Sequence, residues 1–174
     1  SELYRFSFQG NQCAKKMNRF SLKINRARWQ HVFPPSLAGP GDSIMKFGYT
    51  ILYVPDVAAS LTFFEKAFGF ACRFLHESGA YGELETGATA LAFASLEMGE
   101  MHFPDGFVAA STSVKPLGVE VAFVTDDVAA AHARAVAAGA TEILAPEPKP
   151  WGQVVSYVRC PDGTLVELCS PMGG

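Results

Sequence analysis

Long apolar runs and C-x-x-C cysteine pairs are what this 174-residue sequence lacks. No uninterrupted apolar stretch approaches the roughly 18 residues of a membrane helix, so no membrane partner is expected. The first residues mix Glu2, Arg5 and Gln9 among aromatics, which is not the charged-then-apolar order of a leader peptide. Cys13, Cys72, Cys160 and Cys169 contain no C-x-x-C pair, and a chain of this length needs no covalent staples. They read as reduced thiols of a cytoplasmic protein. With 49% hydrophobic residues the chain can bury one ordinary core, or two small modules sharing one.

The net charge of −3 hides a polarity: residues 1–44 carry 7 basic and 2 acidic groups, residues 45–174 carry 7 basic and 15 acidic. Within the basic part Arg19–Asn25 alternates like a short strand, Leu3–Phe8 does so less clearly, and Phe33–Asp42 is a Pro/Gly-rich linker. A basic segment with aromatics is one ingredient of nucleic-acid binding. No recognition motif accompanies it here, so nucleic acid is not an expected partner. Residues 1–44 read as an appended extension and residues 45–174 as the domain.

The closing stretch is the most informative. Pro161, Asp162 and Gly163 form a tight turn. Thr164–Cys169 then alternates, with Val166 and Leu168 on one face and Leu165, Glu167 and Cys169 on the other. A carboxylate among apolar neighbours late in a strand is costly without a partner or a task. Upstream, Gly118–Ala131 lies over Gly48–Ser60 at a nearly constant offset of about 71, which puts Asp127 on Asp56 and Val128 on Val57. Gly69 and Gly139 end the two helices that follow, Val57–Ala67 being the first. Strands at 71–76, 80–85 and 89–95 complete the first unit; 142–144, 151–158 and 164–169 complete the second. This is a tandem repeat. The fold class is α+β, two βαβββ modules (about 45–96 and 117–174, connector about 97–116) whose curved sheets surround a cleft with the helices outside.

The run Tyr49-x-x-Leu52-x-Val54-x-Asp56-x-x-x-Ser60-x-x-Phe63-Phe64-x-x-x-Phe68-Gly69-Phe70 resembles the opening of the vicinal oxygen chelate superfamily: glyoxalase I, extradiol dioxygenases, fosfomycin and bleomycin resistance proteins. Val121-Ala-Phe-x-x-Asp126-Asp127 resembles its second opening. Trp151-Gly152 and Cys160-Pro-Asp-Gly-Thr-x-x-Glu167-Leu168 resemble its ending. The resemblance implies metal ligands on the first and last strand of each module; the matching positions are Tyr49, Ala92, Glu120 and Glu167. Two carboxylates without an imidazole fall short of a catalytic zinc or iron site, so no metal and no cofactor is expected. His76 and His102 are weighed as substitutes and read as surface or hydrogen-bonded histidines. His132 reads as facing out of the second helix, and His31 lies in the extension.

The same positions suit a pocket. Ala88, Ala90, Ala92 and Ala94 share the cleft parity and leave room; Tyr49, Tyr53 and Trp151 offer flat surfaces; Glu120 and Glu167 offer charge. A planar or cationic organic ligand fits that mix through stacking and charge-assisted hydrogen bonds. The reading is a small-molecule binding protein resembling the metal-independent bleomycin-resistance branch, with an antibiotic among the possible ligands and a homodimer implied by the resemblance. Its rival is a glyoxalase-like lyase, isomerase or transferase in which Glu167 or Glu120 is a general base. A third reading is an interaction module that works through the basic extension. Because the repeat is complete within residues 45–174, a chain starting at Met45 is expected to melt cooperatively without residues 1–44. An insoluble or non-cooperative product would move the domain boundary upstream.

Overall fold

The computed structural model describes residues 45–173, and Tyr49–Gly174 forms one compact unit. The extension, with its two strand readings, its linker, Cys13 and His31, lies outside the described residues. β1 (Tyr49–Val54) runs into α1 (Val57–Phe68). Asp56 makes that junction, because its side chain accepts a hydrogen bond from the Ala59 N–H at 2.9 Å and satisfies an orphan donor of the first turn. Gly69, at φ 84°, ends the helix, a conformation that costs glycine little. β2 (Cys72–Leu75), β3 (Tyr81–Leu84) and β4 (Ala90–Ser95) follow. A short α2 (Leu96–His102) and a 3₁₀ turn at Ala110–Thr112 lie in the connector.

The second module repeats the plan as β5 (Val121–Val124), α3 (Val128–Ala138), β6 (Thr141–Pro148), β7 (Val154–Arg159) and β8 (Leu165–Cys169). Asp127 caps α3 through the Ala130 N–H at 2.9 Å. The strand orders are β1-β4-β3-β2 and β5-β8-β7-β6. In both sheets the first strand runs parallel to the last and the other pairs are antiparallel. The tandem βαβββ reading is therefore what the chain forms. No helix among the described residues is long and apolar enough to cross a membrane.

The connector, about 97–116, contains a short helix because Ser95 accepts from the Met98 N–H at 3.3 Å and starts α2. The structure corrects three expectations. β6 is eight residues rather than three. Pro146 and Pro148 mask it, yet an edge strand with register shifts tolerates proline because its free N–H side needs no ladder partner. His132 is buried rather than outward, 5% exposed. It lies on the stripe Val128, Ala131, His132, Ala135 that packs on the sheet. Among the cysteines, Cys160 and Cys169 are free and buried. Cys72 is disulfide-bonded, which corrects its reading as a thiol, since a chain that needs no staple can still carry one.

Each helix covers one face of its own sheet, and the modules then join through those same helices. Phe64 and Phe93 meet at 4.9 Å between ring centroids, and Phe123 of β5 inserts against Phe68 and Phe70 at 5.1 and 4.7 Å. Arg134 of α3 donates to the Ala67 carbonyl near the end of α1 at 2.9 Å. The turn before β8 supplies the second junction. Asp162, 7% exposed, accepts from the Ser60 hydroxyl at 2.9 Å and from the Thr164 N–H at 3.0 Å. Gly163, at φ 89°, lies so close to the connector that a Cβ there would collide with the carbonyl atoms of Ala110. Replacing Gly163 with alanine therefore combines an unfavourable φ with a backbone collision. Gly163→Ala is expected to lower unfolding free energy by more than about 3 kcal/mol, measured by urea melts, whereas Gly87→Ala, at a similar φ of 90° in open space, should lose about 1 kcal/mol.

Candidate functional site

With the helices on one side, the other face of each sheet carries the remaining chemistry. On sheet two, β5 and β8 pair Ala122 with Glu167 and Val124 with Cys169, and β7 pairs Tyr157 with Glu167. Paired residues share a face, so Ala122, Val124, Tyr157, Glu167 and Cys169 lie together, and alternation places Glu120 beside them. Val166 and Leu168, at 0% and 2% exposed, take the helix side, as their alternation predicts. The Tyr157 hydroxyl donates to Glu167 Oε2 at 3.4 Å. Burial first, then a hydrogen bond with Glu167 and its charge, raises the Glu120 carboxyl above the ordinary carboxylate range. Burial and the Glu167 charge likewise raise the Tyr157 phenol and the Cys169 thiol. All three are thus shifted towards their neutral forms around Glu167.

Sheet one pairs Tyr49, Ile51 and Tyr53 with Ala90, Ala92 and Ala94, and β3 adds Tyr81 and Glu83 to that face. Tyr81 and Glu83 escape a reading from the sequence because Tyr81-Gly-Glu-Leu is a short strand between two turns. The signal that could have found them is its alternation, with Gly82 and Leu84 buried against α1. The Tyr81 hydroxyl donates to Glu83 at 3.0 Å, and Arg73 lies 3.6 Å from the same carboxylate. Glu83 is thus neutralised where Glu167 is not. The alanine row differs from expectation. Ala90, Ala92 and Ala94 are at most 2% exposed, flanked by the three tyrosines, so their small size admits rings rather than leaving space. Ala88 precedes the strand and is exposed.

The sequence-derived site residues thus divide into two groups. Glu120 and Glu167 come together, and Tyr49, Tyr53 and Ala92 share the other face. No hydrogen bond, ring contact or charge interaction among the described residues joins the two groups. The reason is the helix-side junction, which leaves both open faces away from it. Trp151 belongs to neither group. It sits 58% exposed in the turn between β6 and β7, where Gly152 at φ 95° reverses the chain, and its indole N–H donates to Gln153. The alternation of β7 does not reach it, because that strand begins only at Val154. The histidines are occupied elsewhere: His76 bonds Ser78 at 2.8 Å, His132 bonds Glu142 at 2.8 Å, and His102 lies against Phe103.

A profile of the Glyoxalase/Bleomycin resistance protein/Dioxygenase superfamily matches residues 46–168. The chain belongs to that superfamily. A glyoxalase-related enzyme from Fulvimarina pelagi shares its fold with a TM-score of 0.63 at 21% identity, over 74% of this chain and 89% of the other. A glyoxalase/bleomycin resistance protein/dioxygenase family enzyme from Burkholderia phytofirmans PsJN gives 0.61 at 22%, over 72% and 98%. No curated protein sequence gives a significant match. Such identities establish shared architecture rather than shared activity.

Members of the glyoxalase superfamily that bind metal need at least three protein donors. Here the four positions hold Tyr49, Ala92, Glu120 and Glu167, and no cluster of three or more His, Cys, Asp or Glu among the described residues is placed to hold an ion. The donor set does not fit a resident metal. What sheet two of this superfamily member can do is hold a proton between carboxyls and accept hydrogen bonds from a cation. The proton has a measurable consequence. A carboxyl whose folded pKa is raised stabilises the fold fully below its unfolded value, about 4.3, and that contribution is lost as pH rises through the raised value. Melting temperatures of Glu120→Gln and parent protein should therefore converge near pH 4 and separate above it, with the variant the more stable. Parallel curves across that window would show that the two carboxyls do not interact.

Proposed function

We propose that this domain is a small-molecule binding protein that holds a planar, cationic organic ligand, an antibiotic among the candidates, by capture rather than bond making. The observation that carries the reading is the Glu120–Glu167 pair beside the Tyr157 hydroxyl, on an open sheet face floored by Ala122 and the 65%-exposed Val124. Amidine or amine donors satisfy such a pair by charge-assisted hydrogen bonds, and the apolar floor takes the flat part of the ligand. The acidic domain adds weak long-range steering of cations. Exposed Ile51 and Val124 on the two open faces also support a homodimer that covers them.

A second reading stays in view because the raised Glu120 carboxyl is prepared for proton transfer. In that reading Glu120 or Glu167 is the general base of a lyase, isomerase or transferase. Mass spectrometry of the recovered ligand separates the two: capture returns it unchanged, and catalysis returns a product.

Calorimetric titration with a panel of planar aromatic cations, benzamidine first, tests the binding reading. A charged hydrogen bond contributes about 1.5–3 kcal/mol, so Glu120→Gln and Glu167→Gln should each weaken binding roughly ten- to a hundredfold. Tyr157→Phe, which keeps the charge, should weaken it by less. If both glutamine variants bind as well as the parent, charge does not select the ligand. If no cation in the panel binds, the reading falls.

A further inference from the structure

Tyr53 offers a flat ring on the face of sheet one, and that ring is already in use. Phe103 and Phe107, from the connector, lie 5.7 and 5.3 Å from it between centroids, and 5.8 Å from each other. The floor beneath Phe107 is Gly99 in the middle of α2, where a Cβ would meet the Phe107 ring at 2.6 Å and Tyr53 at 3.0 Å. Glycine inside a helix costs about 1 kcal/mol relative to alanine, and what it provides here is a ring-sized recess.

The segment that fills this recess is anchored at both ends and loose in the middle. At one end the Phe103 N–H bonds Gly99 and the Gly106 N–H bonds Phe103, at 2.9 and 2.8 Å. At the other, Arg159 donates to the carbonyls of Ala110, Ser113 and Val114 at 2.7, 2.6 and 3.4 Å, and to Gly163 at 3.4 Å. Between these anchors, no backbone hydrogen bond among the described residues holds Phe107 or Val108. Phe103 and Val108 are 42% and 69% exposed. Ring packing on Tyr53 and Phe103 is therefore what the described residues supply to hold Phe107, and the chain on either side can stay fixed while it swings out.

We propose that the Phe107 ring is an internal cover: it occupies a seat for a flat aromatic ring between Tyr53 and Gly99, and an aromatic ligand enters by displacing the Gly106–Ala109 segment. The proposal rests on the aromatic-ligand reading above, but its seat is on the other sheet face and needs no charge. Ring-on-ring contact is worth only about 0.5–1.5 kcal/mol beyond buried area, so an incoming ring of similar size can compete with Phe107.

Indole, which is uncharged, is the probe. Phe107→Ala should bind it at least about tenfold more tightly than the parent, by calorimetry and by shifts of the Tyr53 ring signals. Adding Gly99→Ala, which fills the recess from below, should abolish that gain. A folded Phe107→Ala chain that binds indole no better than the parent overturns the seat. A second measurement does not depend on that variant folding. With 4-fluorophenylalanine incorporated in the otherwise native chain, saturating indole should move the position-107 fluorine signal towards that of solvent-exposed phenylalanine while Phe93 stays unmoved. An unchanged signal at position 107 overturns displacement. Benzamidine binding that depends on Glu120 and Glu167, with no indole effect, leaves the carboxylate reading standing and removes only the cover. The reverse pattern keeps the seat and removes the charge selection.

Discussion

The buried carboxylate of Asp162 is the contact on which the arrangement of the two modules depends. An ion with 7% exposure has surrendered most of its hydration, and such a group is tolerated only when its lone pairs are filled. One oxygen takes the Thr164 N–H and shapes the turn; the other takes the Ser60 hydroxyl from the helix of the opposite module. The next residue, Gly163, allows the connector backbone to lie directly on that turn. Three parts far apart in sequence, α1, the connector and the start of β8, are thereby held at one point. The aromatic contacts of Phe123 with α1 supply area but little direction; the carboxylate supplies direction.

That junction decides which surfaces remain for chemistry. Joining the modules through their helix faces leaves the opposite face of each sheet open, and the two faces have diverged in charge. On sheet one, Arg73 and Tyr81 both engage Glu83, so the carboxylate is absorbed into the sheet. On sheet two, Glu167 has a phenol and a second carboxyl as neighbours. Arg159, which alternation puts on the same face as Tyr157, spends its guanidinium on four carbonyls of the connector and turn. Lys149, from the neighbouring edge, pairs with Glu147. Among the described residues, the negative charge of sheet two is thus left without a resident cation, in part because Arg159 holds the connector down.

Much of this is legible in the chain, and the parts that are not share a cause. The repeat, the Asp56 and Asp127 caps, the Gly69 and Gly139 ends and the buried parity of Val166 and Leu168 are local properties, set by spacing and by residues with special backbone freedom. The pairing of Glu120 with Glu167 follows from laying one module on the other. His132 is hidden from such a reading because an alanine-rich helix has no strong apolar stripe to orient it, and only the Glu142 partner explains its burial. The alanine row misleads because small size looks like vacancy along a strand, whereas the register brings tyrosines onto the same face. Trp151 reads as the start of the strand 151–158, although Gly152 turns the chain there and β7 begins only at Val154. Each miss concerns what a side chain meets across the sheet or beyond it.

The duplicated architecture also explains why one position can hold Ala92 in one module and Glu167 in the other. The β1–β4 and β5–β8 ladders are backbone pairings and impose only parity: Ile51 opposite Ala92, Ala122 opposite Glu167. On sheet one the large partner is Ile51 and the small one Ala92; on sheet two the small partner is Ala122 and the large one Glu167. The volumes are exchanged across the pair, so each face keeps its local packing while the polar group changes. A carboxylate at position 92 would have to share the face with Glu83, already taken by Arg73, and with the rings that bury the alanines. The exchange thus places ring packing on sheet one and the paired carboxyls on sheet two, with the same strand order supporting both.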